Sequence, residues 1–400
     1  MRLQAARDLE EERHSLYGPV ACVRPAGHAQ TVGLEPFASI KLYRSLDAEI
    51  RSSWRELAEN AIQTPYQDLQ WYEAWLATVG KAGLEEPFIV AVFDSVGKPA
   101  AIVPLVLVHR RSVTVVRFPG GKHANYNFPL VRRGVDITPR RLRFLSNSLA
   151  DVSSGVDLYW FDALPPQWAG TPNPLLIGPR RRHAAVSSVI DLRTAQTNSL
   201  SLSFRHRSSY RKLQKLGATI ERSRNASDVR TVLETFLSQK AAWFRARYLP
   251  DSFRQPGIAD FFVRLFSETG PGELYSLRLD GDTLAVAGVV ASAERASLMF
   301  ISYDLQHPLV KLGLGTHLVR SLIERMGQRD IPQFDFGLGD AEYKRLLGAR
   351  TEAAFISAKP ITSKGLAAAC VLILIQIMKR YMKSSSRLVA AVQRFRRSLQ

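Results

Sequence analysis

The sequence predicts an α+β (mixed α/β) protein made of two tandem units. Each unit is a mixed, mainly antiparallel sheet flanked by helices, and a basic helical tail follows them. Three observations carry this. The chain has 400 residues, 46% hydrophobic and 22% charged, a folded-protein composition at a length too great for one average core and suited to two. Apolar, β-branched segments on either side of short turns mark antiparallel hairpins. The order hairpin, third strand, glycine turn, helix, strand is legible in the second half and echoed in the first, as in a duplicated domain.

Residues 1–35 hold scattered charge and Gly18, Pro19, Pro25, Gly27 and Gly33 without a sustained period, which predicts a loosely ordered leader. The first unit, 36–185, opens with a strand over 40–43. Apolar spacing then predicts helices over 48–61 and 67–79, the second carrying Trp71, Tyr72 and Trp75. Segments 88–93 and 100–108 flank a turn and form a hairpin, and 113–118 extends its sheet. A helix over 139–150, a strand over 156–161 and a proline-rich stretch from Pro165 to Pro179 complete the unit.

The second unit, 186–360, begins with a strand over 187–192 and a basic segment, 204–216, with Arg205, Arg207, Arg211, Lys212 and Lys215 unopposed by acid. A helix over 229–247 follows, with Ser227 placed to cap it. Strands over 273–279, 284–292 and 297–303 come next, then a helix over 315–327 with Leu318, Val319, Leu322, Ile323 and Met326 on one face. Pro332 ends that helix and 333–336 is the next strand.

Fifty-four Lys plus Arg against thirty-six Asp plus Glu give a net charge of +18. From Ala353 onward there are nine cations and no acid, so the tail carries half of the excess. The tail, 361–400, has an apolar run from Leu366 to Met378 flanked by Lys364, Lys379 and Arg380. That pattern suits an anionic membrane surface or a helix docked on the protein's own core. Nucleic acid is disfavoured as a partner, because the basic segment 204–216 interleaves only Phe204 and Tyr210 among its cations. Two cysteines, Cys22 and Cys370, exclude a disulfide framework and four-cysteine zinc sites. With no apolar signal segment in the first fifteen residues, a cytoplasmic location is expected, peripheral at the inner membrane if the tail binds lipid.

The segment from Val310 to Thr316, Val-Lys-Leu-Gly-Leu-Gly-Thr, lies between a strand and an amphipathic helix. Its glycines admit close backbone approach, and the free N–H groups of a helix start favour a phosphate or pyrophosphate. After that helix, Asp335, Gly337, Gly339, Asp340, Tyr343 and Lys344 place ionisable groups where a strand ends in glycines, a cleft mouth able to move protons. No P-loop, G-x-S-x-G elbow, H-E-x-x-H or C-x-x-C pattern occurs. Serine hydrolysis, zincin chemistry and dithiol redox therefore lack their usual signatures, and no metal is expected.

The strand order, glycine turn, helix and the D-F-x-x-G-x-x-x-Y-K run from Asp335 to Lys344 resemble the GNAT acyltransferases. The particular resemblance is to the CelD (BcsL) branch associated with bacterial cellulose and exopolysaccharide synthesis, and it covers roughly residues 37–359. It implies a doubled GNAT domain, similar to FemAB transferases, with the first copy degenerate. It also implies direct acyl transfer from acetyl-CoA or another acyl-CoA to the amine or hydroxyl of a saccharide precursor or other small acceptor.

In that reading, backbone around Lys311, Leu312, Gly313, Leu314, Gly315 and Thr316 holds the pyrophosphate. Phe300 and Ile301 border the pantetheine between splayed strands, and Lys344 assists cofactor binding. Asp335 is the first candidate base, Asp340 the second, and Tyr343 the acid for the leaving thiolate. The family motif has Gln or Arg at the position of Val310, a contact Lys311 is placed to supply. Two other functions fit the same features: a non-catalytic scaffold of a polymer-synthesis complex, and an aminoacyl transferase of FemAB type.

Overall fold

A computed structural model describes residues 35–177, 180–195, 204–267, 270–339, 344, 347 and 349–384. The expected leader therefore falls outside the described residues. Among the described residues the core is a single fourteen-stranded sheet, of which twelve strands form a continuous path and two short segments pair to its side. In chain order these are β1 (Ser39–Tyr43), β2 (Glu85–Phe93), β3 (Pro99–Arg110), β4 (Val113–Arg117), β5 (Leu158–Leu164), β6 (Arg180–Asp191), β7 (Thr219–Ser223), β8 (Gly272–Leu279), β9 (Asp282–Ala291), β10 (Ala296–Tyr303), β11 (Gln333–Leu338) and β12 (Arg350–Pro360). The helices that matter here are α1 (Ala48–Glu59), α2 (Leu69–Trp75), α3 (Pro139–Asp151), α4 (Phe204–Lys215), α5 (Ala226–Ala246), α6 (Ile258–Phe266), α7 (Leu314–Gly327) and α8 (Ser363–Ser384).

Across the sheet the order is β1-β2-β3-β4-β5-β12-β6-β11-β10-β9-β8-β7. Read inward from either edge the pattern is the same. Three antiparallel neighbours lead to a fourth strand that pairs in parallel with a fifth, at Val115↔Leu158 and Val116↔Tyr159 on one side and Ala296↔Phe334 and Ser297↔Asp335 on the other. A helix pair follows the outer strand (α1 and α2, or α5 and α6), and a single helix (α3 or α7) connects the parallel strands. The expected mixed, mainly antiparallel fold with a repeated unit is thus the observed one.

The two halves exchange their last strands. β6 follows β5 in the chain yet lies against β11 of the second half. β12 follows β11 and lies against β5 of the first half. The two exchanged strands pair with each other to close the centre of the sheet. The anticipated division between 185 and 186 falls inside β6, which starts at Arg180, well before the expected 187.

Three elements escape the sequence pattern altogether: β7, α6 and β12. The cap of α5 is Asn225, whose side chain accepts from Asp228 N–H at 2.8 Å, and not the expected Ser227, which lies inside the first turn. Behind the sheet one apolar cluster runs from Trp71 and Trp75 of the first half to Phe261, Phe262 and Phe300 of the second. Burial on that scale fixes the halves as a continuous core. A second cluster beneath α7 seats that helix on β8, β9 and β10 through Leu318, Leu322 and Met326.

Candidate active site

The start of α7 is uncapped. A short 3₁₀ turn, Pro308–Leu312, leads to Gly313, which is left-handed at φ 78° and forms the N-cap without any side-chain hydrogen bond. Among the described residues no acceptor meets the N–H groups of Leu314, Gly315 and Thr316; the next one, of His317, bonds to Gly313 O at 3.1 Å. Three unpaired amides at the positive end of a fourteen-residue helix make a ready anion cradle. Gly315 lets the helix start sit close to β10, since a Cβ there would lie 3.0 Å from the Tyr303 ring and 3.3 Å from Ile301. Lys311 is exposed on the turn just before the cradle.

The equivalent helix of the first half, α3, is closed in two ways. Pro139 has no N–H to offer, and the Thr138 hydroxyl already accepts from Arg141 N at 3.4 Å. Of these two equivalent helices, α7 alone keeps an uncapped start.

Beside the cradle, β10 and β11 part. Their parallel ladder has just two paired positions although the strands run for eight and six residues. A bulge drives the divergence. Val289 faces Leu298 and Gly288 faces Phe300, so Met299 is an extra residue in β10 and the strand bends away. Asn125, from the loop after β4 in the first half, fills the base of the fork. Its amide donates to Leu298 O at 3.2 Å on one strand and accepts from Leu338 N at 3.4 Å on the other. Gly337, at φ 76°, leaves room for it, because a Cβ there would meet the Asn125 amide at 2.8 Å.

Asp335 sits beneath this wedge with no exposure. Its Oδ1 accepts from Ser187 at 2.6 Å, Tyr126 at 3.1 Å and the Gly337 N–H at 2.9 Å, and its Oδ2 accepts from Ser297 at 2.7 Å. Ser297 and Tyr66 share a 2.6 Å bond, and Asn125 donates to both. The four hydroxyls come from a short helical turn, a loop, β6 and β10, so the carboxylate ties both halves to the fork. Burial and then the Asp335 charge push the Tyr66 and Tyr126 hydroxyls well above the usual phenol range, so both remain neutral donors.

Arg295 carries the network outward. It donates to Tyr126 at 3.2 Å, to Gln333 at 2.6 Å and to Glu352 at 2.9 Å, and lies over the Trp168 ring at 4.4 Å.

Of the other anticipated residues, Lys344 is buried and donates to Gly337 O at 2.9 Å and Gly339 O at 2.8 Å. Its ammonium therefore fastens the exit of β11. The Phe300 ring is stacked on Phe236 at 3.9 Å within the aromatic core, and Ile301 packs on the opposite side under α7. Asp340 and Tyr343 lie outside the described residues.

One titratable group was not apparent from the sequence. Lys240 is one helical turn beyond Phe236 on α5, its ammonium 5.3 Å from the Trp243 ring centre and 5.9 Å from that of Phe253. Burial lowers its pKa to about 8. Its neighbour Gln239 bonds Ser302 of β10 at 2.7 Å and Thr283 O of β9 at 3.1 Å. Gln239 thus seats this part of α5 against β9 and β10, next to Lys240 in the chain.

An uncapped helix start, a bulged strand and a parallel pair that opens after two residues define a GNAT-type acyltransferase fold, and the sequence agrees: residues 203–345 match the acetyltransferase (GNAT) domain family. The family match thus falls within the second half of the chain. Two solved structures extend the likeness across both halves. FemX shares 14% identity at a TM-score of 0.55, covering 76% of this chain and 95% of its own. The C-terminal domain (DUF2156) of an Agrobacterium fabrum protein described as a lysylphosphatidylglycerol synthetase shares 12% identity at 0.51, covering 83% and 96%. At these identities the similarity is one of fold. No curated protein matches the chain.

Proposed function

We propose that the second half catalyses direct acyl transfer from an acyl-CoA, such as acetyl-CoA, to the amine or hydroxyl of a small acceptor. A saccharide precursor in cellulose or exopolysaccharide synthesis is the acceptor class that the CelD (BcsL) resemblance favours. The observation that carries the donor assignment is the set of unpaired amides at 314, 315 and 316 beside a fork already opened by a bulge. A pyrophosphate fits those amides, with Lys311 beside it, and a pantetheine arm fits the widening gap between β10 and β11.

In this reading the acceptor attacks the thioester carbonyl, forming the new C–N or C–O bond as the C–S bond breaks. The bulge in β10 directs a backbone N–H toward the developing oxyanion. Asp335, enclosed and holding four donors, takes a positioning role in place of the base expected from the sequence. Lys240 in its uncharged form takes the acceptor proton, and the thiolate leaves with CoA. The closed start of α3 supports one donor site per chain.

Calorimetric titration of the full chain with acetyl-CoA tests the assignment. Gly313→Asp adds a carboxylate at the N-cap where the nearest atom to its Cβ is 3.9 Å away, so strain is confined to the backbone angle. It caps the amides and repels the diphosphate, and affinity should fall by at least about tenfold, an energy of about 1.4 kcal/mol. Equal affinities for the two proteins would remove the cradle from the reading.

A further inference from the structure

The strongest feature that acyl transfer leaves unused is α8. Its first half is seated on the sheet. Ala369 is buried with Leu158, Trp160 and Ile356, while Ala368, Leu372 and Ile373 pack at their edge. Gly365 comes so close to Asp157 that a Cβ would strike its carbonyl, and Thr362 caps the helix by accepting from Gly365 N at 3.1 Å. From residue 374 onward nearly every described side chain is exposed. Val371 and Leu374 are each 57% exposed, Met378 55% and Tyr381 68%.

The exposed residues are ordered. At about 100° per residue, Leu366, Cys370, Val371, Leu374, Ile377, Met378 and Tyr381 share one half of the helix circumference. The seated residues occupy the other half; Lys379 and Arg380 fall on that half too, but beyond the last seated turn, where both are exposed. An uninterrupted apolar arc on a surface helix is unusual unless something covers it. With exposed cations following it in the last turns, the pattern is that of a helix lying in a lipid interface.

Charge selects the occupant. No Asp or Glu occurs between Ala353 and Gln400, against nine Lys and Arg, so the face repels cationic partners and attracts phosphates. Beneath the helix a cavity of about 630 Å³ opens against β3, β4 and β5, with Val113, Trp160 and Leu372 among its apolar lining and Arg110 and Lys364 among its cations. That pairing of apolar space and positive charge continues the same surface inward. No helix among the described residues is long and apolar enough to cross a membrane.

We propose that the exposed face of α8 docks on an anionic lipid bilayer, its apolar arc at the acyl boundary and the long side chains of Lys379 and Arg380 reaching lipid phosphates. The full chain should float with vesicles of phosphatidylcholine plus phosphatidylglycerol and remain free of phosphatidylcholine alone. Cys370 lies within the arc, so an environment-sensitive dye placed there in a Cys22→Ser chain should shift to the blue on the anionic vesicles only.

Lys379→Gln with Arg380→Gln should weaken partition by about 30-fold, at about 1 kcal/mol per cation. Leu374→Ser with Ile377→Ser should weaken it at least tenfold, and all four positions are exposed enough to leave the melting temperature unchanged. Absence of binding overturns the proposal. So does binding that neither pair reduces, which would move the contact elsewhere in the chain. A dimer in sedimentation that Leu374→Ser with Ile377→Ser dissolves, without lipid binding, also overturns it by assigning the arc to a second copy.

Discussion

Asp335→Asn separates a positioning carboxylate from a catalytic one. The Gly337 N–H is a fixed donor on the Oδ1 side, together with Tyr126 and Ser187, so the amide oxygen of the variant must take that side. Its NH₂ then faces Ser297, whose hydroxyl has to accept and to send its proton to Tyr66. Tyr66 already receives Asn125, and its own proton is left without an acceptor among the described residues. One charge-assisted bond is lost, about 1.5–3 kcal/mol, and one buried donor is orphaned, about 1–3 kcal/mol. The expected destabilisation is about 3–5 kcal/mol, because no solvent reaches the site to replace the lost bond. Urea unfolding followed by far-UV circular dichroism and tryptophan fluorescence measures it as a shift of midpoint at constant slope. A loss below about 1 kcal/mol would refute the view of Asp335 as the hub joining the halves, and abolished turnover in such a stable variant would restore it as the base.

Two more results follow from buried titratable groups. If Lys240 takes the acceptor proton, kcat/KM should rise with pH through about 8, the value to which burial lowers it, and Lys240→Met should lose that limb while still binding acetyl-CoA; an unchanged profile would remove Lys240 from the mechanism. His123 is buried between Trp75, Phe253 and Phe262, and burial lowers its pKa from 6.5 to about 4. The unfolded chain therefore binds the proton first, so this contribution is intact above pH 6.5 and is lost as pH falls toward 4, by about 3 kcal/mol in total. His123→Phe should flatten that part of the stability curve in acid unfolding, and an unaltered acid limb would contradict the assignment.

Local periodicity made most of the fold legible. Hairpins such as β2–β3 and β8–β9 announce themselves by apolar runs around a turn, and α7 by its single apolar face. The elements that escaped have weak local signals. β7 reads Thr-Ile-Glu-Arg-Ser and is an edge strand with polar residues on both faces. α6 is only nine residues long, and Asp260 and Arg264 on its polar face are too few to show a sustained period in the sequence. β6 and β12 begin in or contain charged and small residues, and their pairing with the opposite half is a long-range choice that no window along the chain contains.

The same division holds at the site. Gly313 and Gly315 mark the cradle because their backbone requirement is local. The sequence also places Asp335 at a strand end, but its four donors come from positions 126, 187, 297 and 337, which only the folded sheet assembles. Asn125 carries no motif; a polar residue in the loop after β4 becomes a wedge only because the other half's strands part around it. Lys240 is one of three cations on α5, and only the fold sets it beside the Trp243 and Phe253 rings.

The exchange of β6 and β12 sets an order of assembly. While the protein is being synthesised, the slot beside β5 stays vacant until Arg350–Pro360 has left the ribosome, so the first half cannot finish its own sheet as a separate early step. Closing that slot joins residues almost two hundred positions apart, a slow event by loop entropy. Until then two open strand edges face each other at the centre of the molecule, and protection of nascent chain there falls to chaperones or to rapid translation of the remainder.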